Sequence, residues 1–302
     1  MPVDAVTARV PAKVNLYLSV GRTRSDGFHD LTTVYQAVSL YDDITVTRSG
    51  SLSVTVEGES AELVPTDETN LAVRAVRALA SFADRAPAVD ILIRKGIPVA
   101  GGCAGGSADA AAALVACDEL WGLRMSRGAL SEIAAELGSD VPFCLAGGTA
   151  LGTGRGEQLT PVLGNGHYTW VLAVVDGGLS TPAVYSELDR QREHGRVAMA
   201  SDPAEVLAAL RLGNVHALGR AMSNDLQEAA FELRPELRSL LELGEDLGAL
   251  AGVVSGSGPT LAFLVKDEPQ GSGVAAGLLD HSACRATRLV SGPVSGARVA
   301  RT

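Results

Sequence analysis

Residues 95–109 read Lys-Gly-Ile-Pro-Val-Ala-Gly-Gly-Cys-Ala-Gly-Gly-Ser-Ala-Asp. The run before them, 88–94 (AVDILIR), predicts a strand. The run after them, 107–121 (SADAAAALVACDELW), predicts a helix by alanine content and spacing. A loop of small residues between strand and helix lets backbone amides approach an anion, and glycine tolerates the positive φ such a loop needs. The helix start adds free N–H groups and the positive end of its dipole at residues 107–109. Phosphate is the natural guest. The alternative is a packing loop, in which the glycines only let strand and helix come close. Two common phosphate motifs are absent: no lysine precedes Ser107, as GxxxxGK would require, and Gly101, Gly102, Gly105 and Gly106 do not have the G-x-G-x-x-G spacing of dinucleotide binders.

Outward from the loop, helical and strand periods mix. Val14, Leu16, Leu18 and Val20 alternate with Lys13, Asn15, Tyr17 and Ser19, which predicts a half-buried strand. Residues 31–39 fit a strand or a short helix. Residues 43–47 and 51–57 flank Arg48-Ser49-Gly50 and predict a hairpin. Helices are predicted over 70–83 and from Ser126 to just before Gly138. Further on, 170–175 predicts a buried strand, and 203–211, 215–222, 226–231 and 235–244 predict helices. Strands at 250–254 and 260–265 bracket Ser-Gly-Ser-Gly-Pro, and the tail from about 291 is expected to fray. The class is therefore α/β or α+β.

Composition narrows the function classes. The 302 residues are 46% hydrophobic and 20% charged, enough for a full core, which excludes general disorder. Net charge is −10, which argues against a nucleic-acid binder and requires a locally positive pocket for any anionic substrate. Only Lys13, Lys95 and Lys266 are lysine against 22 arginines, so each lysine stands out against an arginine bias. Cys103, Cys117, Cys144 and Cys284 have neither zinc nor disulfide spacing. No secretion signal or membrane span is read, and a cytoplasmic protein is expected.

Residues 98–110, Pro-Val-Ala-Gly-Gly-Cys-Ala-Gly-Gly-Ser-Ala-Asp-Ala, resemble the phosphate loop of the GHMP kinases, the galactose, homoserine, mevalonate and phosphomevalonate kinases and their relatives. Pro-Ala-Lys-Val-Asn-Leu (11–16) is similar to the family's first strand, and Gly-Val-Val-Ser-Gly-Ser-Gly-Pro-Thr (252–260) to its C-terminal glycine motif. Asp-Gly-Phe-His (26–29), Gly-Ser-Asp-Val-Pro-Phe (138–143) and Ser-Thr-Pro-Ala-Val-Tyr (180–185) resemble a branch whose acceptor is a cytidyl-diphospho sugar alcohol. The likeness runs from about residue 8 to 265. Ala104 and Ala108 stand where the family often has Gly and Ser, so a hydroxyl contact at 108 is lost.

The resemblance implies a two-lobed α+β fold, with a ribosomal S5 domain 2-like N-terminal lobe (1–160) that binds ATP and a ferredoxin-like C-terminal lobe (161–302). It implies an ATP-dependent kinase acting on a small molecule, with Mg2+, no nucleic acid and no membrane, as a monomer or homodimer. ATP would lie against Pro98, Val99, Ala100, Gly101, Gly102, Cys103, Ala104, Gly105, Gly106, Ser107 and Ala108, with Asn70 near the adenine. Ser107 would be the side-chain ligand for Mg2+ or a phosphate oxygen, while Asp109 either contributes or only complements the helix dipole.

Asp140 would be the general base and Lys13 its charge partner. Asn15, Phe28, His29, Thr181 and Tyr185 would line the acceptor pocket, with Phe28 and Tyr185 on either face of the cytosine. Each has a plainer reading. Asp140 can cap a short helix, Lys13 can be a solvated strand lysine, Phe28-His29 an ordinary turn, and Ser180 or Thr181 a cap before Pro182. At the level of function, the alternatives are a homoserine or mevalonate kinase and an ATP-binding sensor without activity. A dinucleotide oxidoreductase is opposed by the glycine spacing.

Overall fold

Two long strands frame the glycine loop. In the computed structural model, which describes residues 4–195 and 202–300, β1 (Ala5–Thr23) and β2 (His29–Arg48) pair antiparallel over nearly their whole length. Register shifts at Pro11/Ala12 and Asn15/Tyr17 bend the ladder beside the site. The 31–39 segment is thus strand, continuous with 43–47. β1 is buried on both faces from Val10 to Leu18, because its polar face is covered by the rest of the molecule instead of facing water.

The predicted hairpin does not form. β3 (Ser53–Gly58) is an edge strand and lies parallel to β4 (Val89–Lys95), which inserts between it and β2. β4 alternates buried Val89, Ile91, Ile93 and Lys95, whereas β3 is largely exposed, so the more apolar strand takes the inner position. β5 (Thr149–Thr153) and β6 (Gln158–Pro161) extend the sheet from β2. α1 (Leu71–Phe82) and α2 (Gly105–Trp121) pack together, and α2 lies on β1 and β2. The buried alanines 108, 110–113 and 116 let it come close to the sheet. α3 (Arg127–Leu137) and α4 (Val141–Ala146) complete this layer, with Ser126 Oγ capping α3 through the Ala129 amide at 3.1 Å.

The second half opens with β7 (Tyr168–Val175), then α5 (Thr181–Glu193), α6 (Ala204–Leu212), α7 (Val215–Ala221), the short β8 (Ser223–Asn224), α8 (Gln227–Leu233) and α9 (Glu236–Asp246). β9 (Ala251–Val254), β10 (Leu261–Val265), α10 (Glu268–Leu278) and β11 (Cys284–Gly292) follow. β11, β7, β10 and β9 form an antiparallel four-stranded sheet.

Two pieces return to the first sheet. β8 runs parallel to β1 beside Tyr17 and Leu18, and β12 (Arg298–Val299) pairs with Ala8 and Arg9. From 291 to 300 the tail is therefore held, not frayed. Ala297 is buried and its amide donates to the Cys144 carbonyl at 2.8 Å. The four cysteines are buried and free. Among the described residues no helix is long and apolar enough to cross a membrane.

Candidate active site

The loop 96–104 ends in α2 two residues earlier than its sequence predicts. Gly105, Gly106 and Ser107 are the first helical turn, and the first helical hydrogen bond is Ala108 N–H to the Ala104 carbonyl at 2.8 Å. The amides of that turn have no intrahelical acceptor. Ala100, Gly102 and Ala104 are left-handed, with φ of 55°, 78° and 61°, which curls the loop into a concave nest. Holding alanine there costs roughly 1 kcal/mol per residue relative to glycine. The cradle thus tolerates Ala104 at a strained backbone position.

The glycines divide into two roles that sequence did not separate. A Cβ on Gly102 would collide with the Ser255 carbonyl, and one on Gly101 would stand 2.7 Å from Thr260 Oγ1. These glycines let the loop dock on the 255–260 turn. Ser255 Oγ donates to the Gly102 carbonyl at 3.1 Å, and the Thr260 amide to the Gly101 carbonyl at 3.3 Å. Gly105 points its missing Cβ at Lys95 Nζ, 3.1 Å away, in the interior. Only Gly106 is open, its nearest neighbour being Leu71 Cδ1 at 3.6 Å. Packing explains most of the glycines, and what the turn can offer an anion is its free amides.

A cleft of about 770 Å³ opens over this turn. Ala100, Gly101, Gly102, Ala104, Gly105, Gly106 and Ser107 line it. Pro98, Val99, Cys103 and Ala108 do not, and Pro98, Cys103 and Ala108 are buried behind it. Cys103 serves through its backbone, accepting the Lys13 amide at 3.3 Å. Asn70 also lies outside the lining. Its side chain caps α1, accepting from the Ala72 amide at 2.8 Å, and donates to the Pro65 carbonyl at 2.7 Å. Asp109 turns inward to Lys95 and away from the cleft.

The middle of the cleft holds Asp140. It starts α4, yet its side chain makes no cap hydrogen bond. The carboxylate instead accepts from Tyr35 Oη at 3.1 Å and lies 3.8 Å from Lys13 Nζ. The capping alternative fails on this geometry. Lys13 is buried, not solvated, and its ammonium donates to Asn15 Oδ1 at 2.6 Å. Asn15 Nδ2 in turn donates to Thr33 Oγ1 at 2.8 Å, and that hydroxyl to the Tyr17 carbonyl at 2.7 Å. Strand alternation puts Lys13 and Asn15 on one face, and the chain of bonds fixes the ammonium. Burial, then the nearby Asp140 charge, pushes the Tyr35 hydroxyl well above its usual range, so it stays a donor.

Beyond Asp140 the walls are side chains from four segments. His29 Nε2 lies 3.0 Å from Asp189 Oδ1 and 3.2 Å from Thr23 Oγ1, with its ring 5.2 Å from Tyr185. Phe28 is 52% exposed on its turn, with the Arg155 guanidinium 5.3 Å over its ring. Thr181 Oγ1 shares a hydrogen bond with Ser257 Oγ at 2.9 Å instead of capping α5. Burial first, then Asp140, raises the Tyr185 hydroxyl.

Sequence reasoning missed Tyr35, Thr33, Arg155, Asp189 and Ser257. Tyr35 sits opposite Asn15 in the β1–β2 ladder, so the register would have found it. Asp189 lies eight residues past Thr181 on α5, a signal too weak without the fold.

The cleft can place a phosphorylated group on the α2 turn and a hydroxyl beside Asp140. Among the described residues, no three His, Cys, Asp or Glu side chains cluster to hold a metal ion. The residue composition fits a metal carried in by phosphates, with Ser107 as an oxygen donor on the lining.

Comparison with known proteins agrees. The model of the GHMP kinases N-terminal domain matches residues 70–148, and that of the GHMP kinases C-terminal domain matches 206–282. A 4-diphosphocytidyl-2-C-methyl-D-erythritol kinase of Nocardia farcinica is 57% identical over 97% of this chain and 96% of its own. One of Mycobacterium tuberculosis is 54% identical over 99% of this chain and 94% of its own. A crystal structure of 4-(cytidine 5'-diphospho)-2C-methyl-D-erythritol kinase superposes with a TM-score of 0.76 at 31% identity, covering 94% of this chain and 98% of that one. Leishmania major mevalonate kinase shares the fold alone, with a TM-score of 0.78 at 16% identity over 98% of this chain and 99% of its own. The chain is an ATP-dependent small-molecule kinase and belongs to the GHMP kinases, in the family of the 4-diphosphocytidyl-2-C-methyl-D-erythritol kinases.

Proposed function

We propose that the chain phosphorylates the 2-hydroxyl of 4-diphosphocytidyl-2-C-methyl-D-erythritol with MgATP, releasing ADP, in the cytoplasm and on the non-mevalonate route to isopentenyl diphosphate. The observation that carries this reading is Asp140, uncapped and aimed into the cleft between Lys13 and Tyr35. The triphosphate lies on the free amides of residues 105–107, in the 1–160 lobe, and the 161–302 lobe supplies the Ser257 turn and α5. Ser107 is the side chain that would hold Mg2+, which would neutralise phosphate charge when bound. Asp140 takes the proton from the acceptor hydroxyl as it attacks the γ-phosphorus. Lys13, held by Asn15, balances charge on the acceptor and the transferring group. The cytosine lies between Phe28 and Tyr185, with His29 and Thr181 at its polar edge and that of the sugar alcohol. No nucleic acid or membrane takes part, and the chain acts as a monomer or homodimer.

The test is ADP release from MgATP with 4-diphosphocytidyl-2-C-methyl-D-erythritol, homoserine, mevalonate and galactose as acceptors. Turnover with the first alone is expected. Turnover with another acceptor discards the cytosine pocket, and ATP binding without any turnover leaves a sensor.

A further inference from the structure

The acceptor just proposed carries a diphosphate, hence two negative charges in a molecule whose net charge is −10. The charged side chains lining the cleft are Lys13, Arg155, Asp140 and Asp189, with His29 beside Asp189. Lys13 is not available to the diphosphate. Its ammonium is buried, bonded to Asn15 at 2.6 Å and 3.8 Å from Asp140.

Arg155 differs in exposure and in hydrogen bonding. It sits on the tight turn between β5 and β6, with about a third of its side chain exposed. Among the described residues its guanidinium makes no hydrogen bond, and its nearest carboxylate oxygen is Glu157 Oε1 at 3.9 Å. The other oxygen of Glu157, Oε2, accepts the Arg155 amide at 2.6 Å, which holds that carboxylate against the turn's backbone and beyond hydrogen-bond distance of the guanidinium. The turn holds the backbone and leaves the fork of N–H donors free at the cleft. A planar guanidinium binds a phosphate through two parallel hydrogen bonds.

We propose that Arg155 binds the diphosphate of the acceptor and so makes the site select a cytidyl diphosphate over the uncharged nucleoside. This rests on the acceptor reading above. The Phe28 ring, 5.3 Å from the guanidinium, keeps the arginine over the aromatic wall where the base stacks. From there its donors face the ribose side of the base, where the 5'-diphosphate is attached.

Cytidine 5'-diphosphate and cytidine, used as competitors of the acceptor, separate the two parts. The wild-type protein and Arg155→Met are compared, with Arg155→Lys as the conservative variant. Arg155→Met should weaken cytidine 5'-diphosphate by about tenfold or more, the loss of one charge-assisted contact to phosphate. Cytidine binding and the KM for ATP should stay within about twofold, and Arg155→Lys should restore part of the difference. Equal weakening of both competitors would assign Arg155 to the base and overturn the proposal. So would unchanged binding of the diphosphate. If neither compound binds the wild-type protein while MgATP does, the acceptor reading falls and takes this inference with it.

Discussion

Two lysine–aspartate pairs stand near helix starts in this protein, and they do opposite things. Lys13 and Asp140 meet in the cleft at 3.8 Å, with the carboxylate about 30% exposed and also bonded to Tyr35. Lys95 and Asp109 meet in the interior at 2.9 Å, both nearly inaccessible, with Asp42 as a third member. Asp42 Oδ1 accepts the Gly96 and Ile97 amides at 2.7 and 2.9 Å, so the inner cluster ties strand end, loop and helix together. A lysine beside an aspartate is therefore no signature of chemistry. The useful difference is access: Asp140 can offer lone pairs to a ligand, while the inner carboxylates hold the cradle's shape.

Substitutions can break this comparison. The largest effect is expected at Asp140. Asp140→Asn should lower kcat by about 100- to 10,000-fold, the usual worth of a positioned base, with little change in the KM for ATP. The amide oxygen can still accept from Tyr35 but the buried Lys13 loses its carboxylate, so thermal stability should change by no more than about 2 kcal/mol. Near-normal turnover would remove Asp140 as base.

At the inner pair the expected loss is of folding, not of chemistry. Lys95→Met leaves two buried carboxylates without their ammonium and should cost about 3–5 kcal/mol in urea unfolding. A cost under about 1 kcal/mol would mean the cluster carries no structural weight.

The glycines sharpen the same distinction. Gly102→Ala places a methyl against the Ser255 carbonyl at a positive φ, and should cost about 1–3 kcal/mol along with ATP affinity. Gly106→Ala meets only Leu71, so the fold should be intact. If phosphate lies on that turn, its KM for ATP should still rise about tenfold, one lost contact's worth. Unchanged KM in Gly106→Ala would move the triphosphate elsewhere.

These cases show how far the sequence was legible. Local signals were sound: helix starts near Asn70 and Ser126, the strand–loop–helix around 95–109, and the alternation that placed Lys13 and Asn15 on one face. Tertiary choices were not. Nothing local says that β4 inserts between β2 and β3, or that residues 298–299 return to β1. Glycine at 101, 102 and 105 read equally as part of a phosphate loop or of a packing loop, and only the fold shows that a Cβ at each would meet protein. Motif resemblance marked Asp140, Lys13 and Asn15, but Tyr35, the partner of Asp140, and Thr33, the partner of Asn15, come from a strand that residues 31–39 left undecided. Asp189 and Arg155 needed the fold to bring them to the cleft.

The smallest expected effect tests the inner pair through pH. Burial foremost, and Asp42 besides, raises the Asp109 carboxyl well above its ordinary 3.8 despite Lys95 nearby. A carboxyl raised on folding binds its proton better in the folded state. Its stabilising contribution is complete below about pH 3.8 and is lost as pH climbs through the raised value. An amide does not titrate, so in Asp109→Asn this loss should vanish. Lys95 would still be paired with Asp42, and the amide oxygen can accept the ammonium as the carboxylate does. The buried Asp109 Oδ1 has no partner in the native protein, so an amide group there orphans no more atoms than before. Urea midpoints measured from acid to mildly alkaline pH should therefore converge at low pH and separate in favour of Asp109→Asn as pH rises. Parallel curves would mean that the native cluster keeps both carboxylates charged, with the α2 dipole offsetting the surplus.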